Sequence, residues 1–356
     1  MGSGLLSKLR IGYWPLSKSL GLAGDRRRLV FWAEARGHTV VTDLSRSVDV
    51  VVASENVDFN SGFFESNKTP LIFDLVDAYL SPSNPIDDIS RGVAKKISGQ
   101  ITGGIKPFSH HVRDFCKKAD LVICSSLEQE AVINLYNNNT QIILDSHDEI
   151  PFIIPSRNSE KLTLQKRVLW EGQPATIKGV NQLSTVLKEL SANQQMYYDF
   201  VTDQKYFKVL NRYLQKDTLD LLEKGLCEIS EKISIFPWST EALVSRAKES
   251  NLAMIPIDLS VPMQALKPEN RLLIMWRLGL PCLTSASPAY SRVSATAGVN
   301  AICHNLEEWF EKFNYILSDP NFGYREVLKG QDYLREYHNQ RVLLQKWDAA
   351  IEMALR

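Results

Sequence analysis

Charged and amide side chains crowd the amino end of one apolar segment. Lys267, Glu269, Asn270 and Arg271 precede the run of residues 272–278, which is predominantly apolar. The amino end of a helix carries partial positive charge and free N–H groups, and it therefore attracts phosphate. Together with the cations of Lys267 and Arg271, this arrangement is typical of a diphosphate site. An ordinary capped helix with solvated ends fits the same residues, so both interpretations stay open.

Proline and glycine mark the ends of this predicted helix. Pro268 suits the first turn, where a missing N–H costs nothing. Gly279 suits the position after the last turn, and Pro281 cannot continue a helix. The residues between them are apolar almost all round, which predicts a helix that is buried on most sides in a layered α/β domain. Residues 281–284 then predict a short buried strand.

Length and charge limit the possible classes of protein. A chain of 356 residues predicts two domains. Lys plus Arg and Asp plus Glu number 41 each, so no global basic field favours nucleic acid. The 44% hydrophobic content is ordinary for a soluble globular protein, and no apolar run or leader suggests a membrane span or secretion. The five scattered cysteines favour reduced thiols, no zinc site and a cytoplasmic location.

Short apolar strands alternate with helices in the first part of the chain. Asp25 is predicted to cap a helix over residues 26–36, after a loop that contains Gly24. Asp74 and Asp77 lie toward the end of a strand, where ligands meet open α/β sheets. The glycines of the loop lack the GxGxxG spacing, so NAD is not favoured. The predicted strands are residues 9–14, 39–41, 48–53, 71–77, 119–126 and 141–144.

The same alternation continues after a proline-bracketed linker. A charged helix is predicted at about residues 205–224, among strands at 167–172, 197–202, 232–237, 251–256, 281–284 and 299–303. We predict an α/β fold of two Rossmann-like domains, with parallel sheets that face each other across a cleft. The first domain is expected to cover residues 1–155 and the second residues 162–334. The helix at about 335–356 is expected to pack back on the first domain.

Two polar segments allow a functional and a plain interpretation. Lys95, Lys96 and Lys106 belong to a basic segment that is either a solvated face or a surface for an anionic lipid-linked acceptor, with peripheral membrane contact. The solvated face is the favoured interpretation. The acidic and histidine residues at 145–149 invite a metal hypothesis, but a polar linker gives the same pattern and is favoured.

Five sequence motifs together carry a family resemblance. They are Arg-Gly-His-Thr-Val at 36–40, Ala-Asp-Leu-Val-Ile-Cys-Ser-Ser at 119–126, Trp-Glu-Gly-Gln followed by Lys-Gly at 170–179, Asn-Leu-Ala-Met-Ile-Pro at 251–256, and Lys-x-x-Asn-Arg with Gly-x-Pro at 267–281. In this order and separation they resemble the GT-B glycosyltransferases. The resemblance is greatest to the retaining enzymes of glycosyltransferase family 4 that make bacterial surface polysaccharides.

The resemblance implies transfer of a sugar from a nucleotide-diphosphate donor to an acceptor hydroxyl, in cell-surface polysaccharide or glycolipid synthesis. The acceptor is a carbohydrate or a lipid-linked sugar. The donor is expected on the second domain and the acceptor on the first, without a bound metal or other cofactor and with retention of configuration. The catalytic residues implied are Asp77, Lys178 and Glu269. The donor-binding residues implied are Gly24, Asp25, Gln173, Lys178, Trp238, Lys267, Glu269, Asn270 and Arg271.

The chain departs from the family pattern at the donor motif. Family 4 members usually carry Glu-x7-Glu, and the corresponding positions here are Leu266 and Ile274. Gln173 stands where an Arg is usual. Three alternatives therefore remain: a nucleotide-sugar epimerase of the same fold, a catalytically inert subunit of this fold, and a nonenzymatic sugar- or nucleotide-binding protein.

Overall fold

The computed structural model describes residues 8–66, 68–82, 84–155, 165–207 and 215–356. Contacts between these residues divide the chain into two compact units. Unit 1 contains the residues up to Ser146, together with Leu266–Pro268 and Asn339–Arg356. Unit 2 contains His147–Ala265 and Glu269–His338. Within the described ranges, no helix is both long and apolar enough to cross a membrane.

Unit 1 is built on a parallel sheet with the strand order β2-β1-β3-β4-β5-β6. Every residue of β3 is buried, because both faces of this central strand are covered. The strands predicted for this part of the chain are all confirmed, with small shifts at their ends. They are β1 (Arg10–Trp14), β2 (Thr39–Val41), β3 (Val50–Ser54), β4 (Leu71–Asp74), β5 (Leu121–Cys124) and β6 (Thr140–Ile142).

Unit 2 is built on a second parallel sheet, of order β11-β8-β7-β12-β13-β14, and a separate antiparallel pair, β9 with β10. The predicted strands of the second sheet are also confirmed. The strands are β7 (Gln165–Glu171), β8 (Gln195–Val201), β9 (Lys205–Phe207), β10 (Gln215–Asp217), β11 (Ile233–Phe236), β12 (Leu252–Ile255), β13 (Cys282–Ser285) and β14 (Ile302–Cys303).

Helices cover both sheets. In unit 1 they are α1 (Ala23–Arg26), α2 (Leu29–Arg36), α3 (Phe63–Ser66), α4 (Pro85–Ile97), α5 (Phe108–Lys118) and α6 (Leu127–Ile133). In unit 2 they are α7 (Ile177–Asn181), α8 (Ser184–Asn193), α9 (Leu219–Leu226), α10 (Thr240–Glu249), α11 (Pro262–Ala265), α12 (Asn270–Arg277), α13 (Pro288–Ala297), α14 (Leu306–Ser318) and α15 (Pro320–Tyr337). The last helix, α16 (Gln340–Leu355), returns to unit 1.

Helix α16 packs on α2 through aromatic and ionic contacts. The rings of Trp32 and Trp347 stack with their centroids 6.0 Å apart. The indole N–H of Trp32 donates to the carboxylate of Asp348 at 2.8 Å, and the Arg36 guanidinium binds the same carboxylate. Helix α16 also contacts β3, β5 and β6, so it packs against both α2 and the first sheet.

The predicted charged helix at residues 205–224 is wrong over its first part. β9 and β10 pair there as antiparallel strands, and the helix α9 begins only at Leu219. The register places Lys205 opposite Asp217, so that opposite charges face each other across the ladder. Tyr206 adds a residue type that favours strands. Residues 208–214 of this prediction lie outside the described residues.

Two helix starts also differ from expectation. Pro268 precedes the helix instead of lying in its first turn, because α12 begins at Asn270 with Glu269 as the N-cap. Gly279, by contrast, has the expected left-handed φ of 72° just after the helix. The helix expected over residues 26–36 is divided into α1 and α2 at Arg28, which adopts a nonhelical conformation.

Candidate functional site

In unit 2, polar side chains collect at the carboxyl ends of the parallel strands. Glu171 ends β7, Asp258 lies shortly after β12, and Trp238 follows β11. Helix α12, which begins at Asn270, contacts β12 and β13. Because ligands of open α/β sheets bind at the carboxyl edge, this end of unit 2 is the candidate donor site.

Arg271 is held by Glu171, a residue that the sequence motifs did not single out as functional. The Arg271 guanidinium donates to the Glu171 carbonyl, and its Nε lies 3.4 Å from the carboxylate Oε2 of the same residue. It also lies over the Trp170 ring, 5.3 Å from the centroid. Trp238, a predicted donor-binding residue, donates from its indole N–H to Glu171 Oε1 at 3.0 Å. Glu171 therefore organises two predicted site residues and balances the charge of Arg271.

The amino end of α12 carries two polar side chains, those of Glu269 and Asn270. The N-cap Glu269 is buried, and its side chain does not cap the helix. The buried side-chain oxygen of Asn270 has no hydrogen-bond partner among the residues that the structure describes. A buried polar atom without a partner costs free energy, and a bound ligand with a donor group would remove that cost.

Lys267 is assigned to a different unit from the other residues of its motif. It belongs to unit 1, where its Nζ is 3.4 Å from Asp77 Oδ1. The preceding carbonyl, of Leu266, accepts a hydrogen bond from the Ser126 hydroxyl at 2.8 Å. The structure thus pairs two predicted site residues with each other, as cation and carboxylate, which the linear motif did not suggest.

Lys178 is exposed on the short helix α7, directly after the loop that contains Gln173. Gln173 is also exposed, and its carbonyl accepts hydrogen bonds from the Thr176 N–H and hydroxyl at 2.9 and 2.8 Å. The pKa of Asp258 is lowered, chiefly by its hydrogen bond from the Ser260 hydroxyl and in smaller part by the charge of Lys178. Lys178 is thus a cation near the end of β12.

Gly179 fixes the position of α7. A methyl group at this residue would overlap with the carbonyl oxygen of Pro256, so the helix rests directly on the chain after β12. We expect Gly179→Ala to lower the free energy of unfolding by about 1–3 kcal/mol, because the clash with the Pro256 backbone can be relieved only by moving α7 or the chain after β12. Urea denaturation measures this change. Gly104→Ala, where a methyl group would meet no atom within 4 Å, is the control and should change stability little.

In unit 1, Asp25 is fully occupied by the loop after β1. Its carboxylate accepts from the Tyr13 hydroxyl at 2.8 Å, the Leu16 N–H at 2.7 Å, and the Ser17 N–H and hydroxyl at 3.0 and 2.8 Å. Burial, followed by the charges of nearby carboxylates, raises the pKa of Tyr13, so the hydroxyl stays protonated as a donor. Asp25 lies inside α1 and is not the N-cap that the sequence suggested, since Leu22 holds that position. This geometry gives Asp25 a role in shaping the loop.

Gly24 has a packing role in the same loop. A methyl group here would overlap with the side chain of Leu16. The residue is partly exposed, and α1 is a single turn. The contact explains why a small residue fits at this position, and the predicted contact with the donor stays a prediction.

A buried ion network lies beside this loop and was not foreseen from the sequence. Arg28 binds both carboxylate oxygens of Asp74 at 2.6–3.1 Å and also reaches Asp145 at 3.2 Å. Its third partner is the Ile143 carbonyl at 2.7 Å. Asp74, one of the two aspartates at the end of β4, therefore holds the sheet to the start of α2. Asp145, part of the segment considered for a metal, is a partner of Arg28 as well.

Asp77 lies in a second, more open group of ionisable residues at the ends of β3 and β4. Its backbone N–H donates to Glu55 Oε2 at 3.1 Å. Burial, and after it the negative charge of Asp77, raises the pKa of Glu55 to about 8. Gln129 donates to the Asp77 carbonyl at 3.1 Å and fixes the backbone. The arrangement places two carboxylates and the Lys267 ammonium together in unit 1.

The raised pKa of Glu55 predicts a pH dependence of stability. Below the folded-state pKa of about 8 the folded protein keeps a proton that the unfolded chain releases near pH 4.5. The free energy of unfolding should therefore fall as the pH rises from about 4.5 to about 8. In Glu55→Gln this part of the decline should disappear. Urea denaturation at several pH values measures the difference, and Glu34→Gln, at an exposed position of α2, should keep the wild-type slope.

A cavity of about 210 Å³ in unit 2 lies away from these groups. It is lined in part by Asn251 and Pro281, which precede β12 and β13. The cavity therefore opens at the amino ends of the strands. Its lining contains none of the polar residues of the candidate site. Among the described residues, no group of three or more His, Cys, Asp or Glu side chains is arranged to hold a metal ion.

Comparison with known proteins identifies the fold. No family model matches the chain, and no curated protein sequence matches it significantly. HepE from Anabaena, solved in complex with UDP and glucose, is similar over 97% of this chain and 100% of its own, with a TM-score of 0.63 and 11% identity. WaaG, a glycosyltransferase involved in lipopolysaccharide biosynthesis, is similar over 97% of this chain and 99% of its own, with a TM-score of 0.57 and 14% identity.

TarM matches 86% of this chain with a TM-score of 0.58 and 11% identity, and the chain spans about half of TarM, 54% of its length. Identities this low concern the fold and leave the chemistry to be argued from the residues. The two α/β units, each with a parallel six-stranded sheet, match the architecture of these proteins. The chain therefore has the fold of the GT-B glycosyltransferases.

Proposed function

We propose that this protein is a glycosyltransferase that moves a sugar from a nucleotide-diphosphate donor to an acceptor hydroxyl. The observation that carries the proposal is the match of both sheets to GT-B proteins over 97% of the chain. The polar groups at the carboxyl edge of unit 2 add support, because that edge is where an α/β unit binds nucleotides. HepE was solved with UDP and glucose, and a uridine nucleotide is accordingly the first donor to test.

In this proposal the donor binds unit 2 at the start of α12. Negative charge develops on the diphosphate as the glycosidic bond breaks, so preorganised positive groups there lower the barrier. Lys178 is the exposed cation suited to this role, and the N–H groups at the start of α12 add the helix dipole. Glu269 and Asn270 are the polar groups proposed to hold hydroxyls of the donor. Gln173 and Trp238 are proposed to lie around the nucleotide.

Arg271 has a conditional role, because it is already bound to Glu171. It can either keep this pairing and hold Glu171 and Trp238 in position, or exchange the carboxylate for a phosphate. The hydrogen bond to the Glu171 carbonyl and the position over the Trp170 ring support the first role. A positioning Arg271 predicts that Arg271→Lys binds donor weakly, since Lys cannot reproduce the planar contacts.

In unit 1 we propose that Asp77 contacts the sugar that is transferred, and that Lys267 holds this side chain in position through their ion pair. Gly24 and Asp25 are proposed to shape the loop that approaches the donor. The reaction is proposed to proceed without a metal ion and with retention of configuration, on a carbohydrate or lipid-linked acceptor of the cell surface. These finer assignments rest on the family resemblance and on the positions of the residues.

Donor turnover tests the proposal. The full-length protein is incubated with UDP-, GDP- and ADP-sugars, a mixture of glycan and glycolipid acceptors, and EDTA, and the released nucleoside diphosphate is measured. Release that depends on an acceptor supports transfer, and the anomeric NMR signals of the product give the stereochemistry. Conversion of the donor without an acceptor would instead favour an epimerase. Nucleotide binding with neither reaction would favour an inert subunit.

A further inference from the structure

The cavity at the amino ends of the strands of unit 2 has an aliphatic interior. Its volume is about 210 Å³, and its walls include Leu278, Leu317 and Val327, which are all buried. An apolar cavity of about 150 Å³ in a protein is large enough to bind benzene. This cavity therefore has room for a short aliphatic chain.

Backbone contacts hold two walls of the cavity in place. Ile153, on one wall, donates its N–H to the Arg277 carbonyl at 2.8 Å, and its carbonyl accepts from the Gln331 amide at 2.7 Å. Gly279, on the other wall, cannot approach more closely, because a methyl group there would already overlap with the Ile153 carbonyl. Since neither wall can move inward, the cavity is a preformed pocket, as ligand sites usually are.

Lys248 gives the rim of the cavity a positive charge. It is an exposed residue of α10, and it is the one charged side chain among the described residues that line the cavity. The neighbouring carboxylate, of Glu249, pairs with Arg246 at 2.6 Å. An aliphatic interior with a single cation at the rim is complementary to a molecule with an aliphatic body and one negative charge.

We propose that this cavity binds a small carboxylate with an aliphatic chain of about six to eight carbons. The chain lies against Leu278, Leu317 and Val327, and the carboxylate accepts a hydrogen bond from the Lys248 ammonium at the rim. Burial of the chain supplies most of the affinity, because an exposed ion pair contributes little, and the ion pair selects the sign of the charge.

This ligand is distinct from the donor of the proposed sugar transfer. The cavity lies at the amino ends of the strands of unit 2, whereas the candidate donor site lies at their carboxyl ends. The two sites have no lining residue in common. The inference is therefore independent of sugar transfer, and binding alone tests it.

Isothermal titration calorimetry of the full-length protein with sodium octanoate and with octylamine tests the proposal. The two probes have the same chain and opposite charges. The wild-type protein should bind octanoate with a Kd below about 1 mM, and octylamine much more weakly. Lys248→Glu reverses the charge at the rim, so it should bind octanoate about tenfold more weakly and should prefer octylamine. Lys224→Glu is the matched control, because Lys224 is an exposed lysine of α9 outside the lining, and it should bind both probes as the wild type does.

Ala247→Leu tests the location of the site, because Ala247 is buried and lines the cavity. The larger side chain takes up part of the cavity volume, so octanoate should bind about tenfold more weakly or worse. Thermal melting should show that all variants are folded. No binding of octanoate to the wild type at about 10 mM would overturn the proposal. Equal binding by folded Ala247→Leu would place octanoate elsewhere, and an unchanged preference in Lys248→Glu would remove the role of the cation; either result contradicts the proposal.

Discussion

Arg28→Met is expected to lower the free energy of unfolding of unit 1 by about 3–5 kcal/mol. The guanidinium is completely buried and binds both oxygens of Asp74 as well as Asp145. Removal of the cation leaves two buried carboxylates, of which Asp74 is almost inaccessible to water. A carboxylate that is buried without its partner is the source of most of this cost.

Urea denaturation followed by circular dichroism measures the loss. Arg46→Met is the control, because Arg46 pairs with Asp43 at the surface with both side chains more than half exposed. Exposed pairs contribute less than about 1 kcal/mol, so this variant should unfold almost as the wild type does. If both variants lost stability equally, the buried contacts of Arg28 would not contribute more to the stability of unit 1 than an exposed ion pair does.

Lys178→Ala is expected to lower the turnover number of the proposed sugar transfer about 100-fold. The variant loses the exposed cation that we assign to the leaving diphosphate, and charge at that position is needed more in the transition state than in the ground state. The effect should therefore fall mainly on kcat, with a smaller change in KM. Lys178→Arg keeps the charge and should recover part of the activity.

Lys188→Ala is the matched control for this experiment. Lys188 lies in the same unit, on the following helix α8. Its ammonium pairs with the Glu228 carboxylate at 2.7 Å. It is a partly exposed lysine without a proposed contact to the donor, so turnover should stay close to that of the wild type. A loss confined to KM in Lys178→Ala would mean that the residue binds the donor without stabilising the transition state.

The strands of both sheets could be predicted from the sequence because buried parallel strands are short runs of apolar residues with polar or glycine-rich ends. Residues 50–54 illustrate this, since a run of valines between loops has few alternatives to a central strand. The hairpin of β9 and β10 was missed for the opposite reason. Its six residues are too few to show an apolar period, and the hairpin is defined by cross-strand pairs such as Lys205 with Asp217.

The pairing of the candidate-site residues could not be predicted from the sequence. Sequence proximity grouped Lys267 with Arg271, whereas the structure binds the first to Asp77 and the second to Glu171. These partners are about one hundred to two hundred residues away along the chain, and no local pattern reports such a distance. The same is true of the buried ion pair of Arg28 with Asp74. The local sequence around each residue does not differ from that of an exposed charged loop.

A thermal-shift measurement with nucleotides tests the central claim, that unit 2 is a site for a nucleotide-diphosphate donor. UDP, GDP, ADP, CMP and their sugars are compared with and without EDTA. A ligand that binds only the folded protein adds about 2.7 kcal/mol when its concentration is 100 times Kd. The account predicts a rise in Tm with one nucleotide base, unchanged by EDTA and strongly reduced in Lys178→Ala. No rise with any nucleotide at millimolar concentration would contradict it.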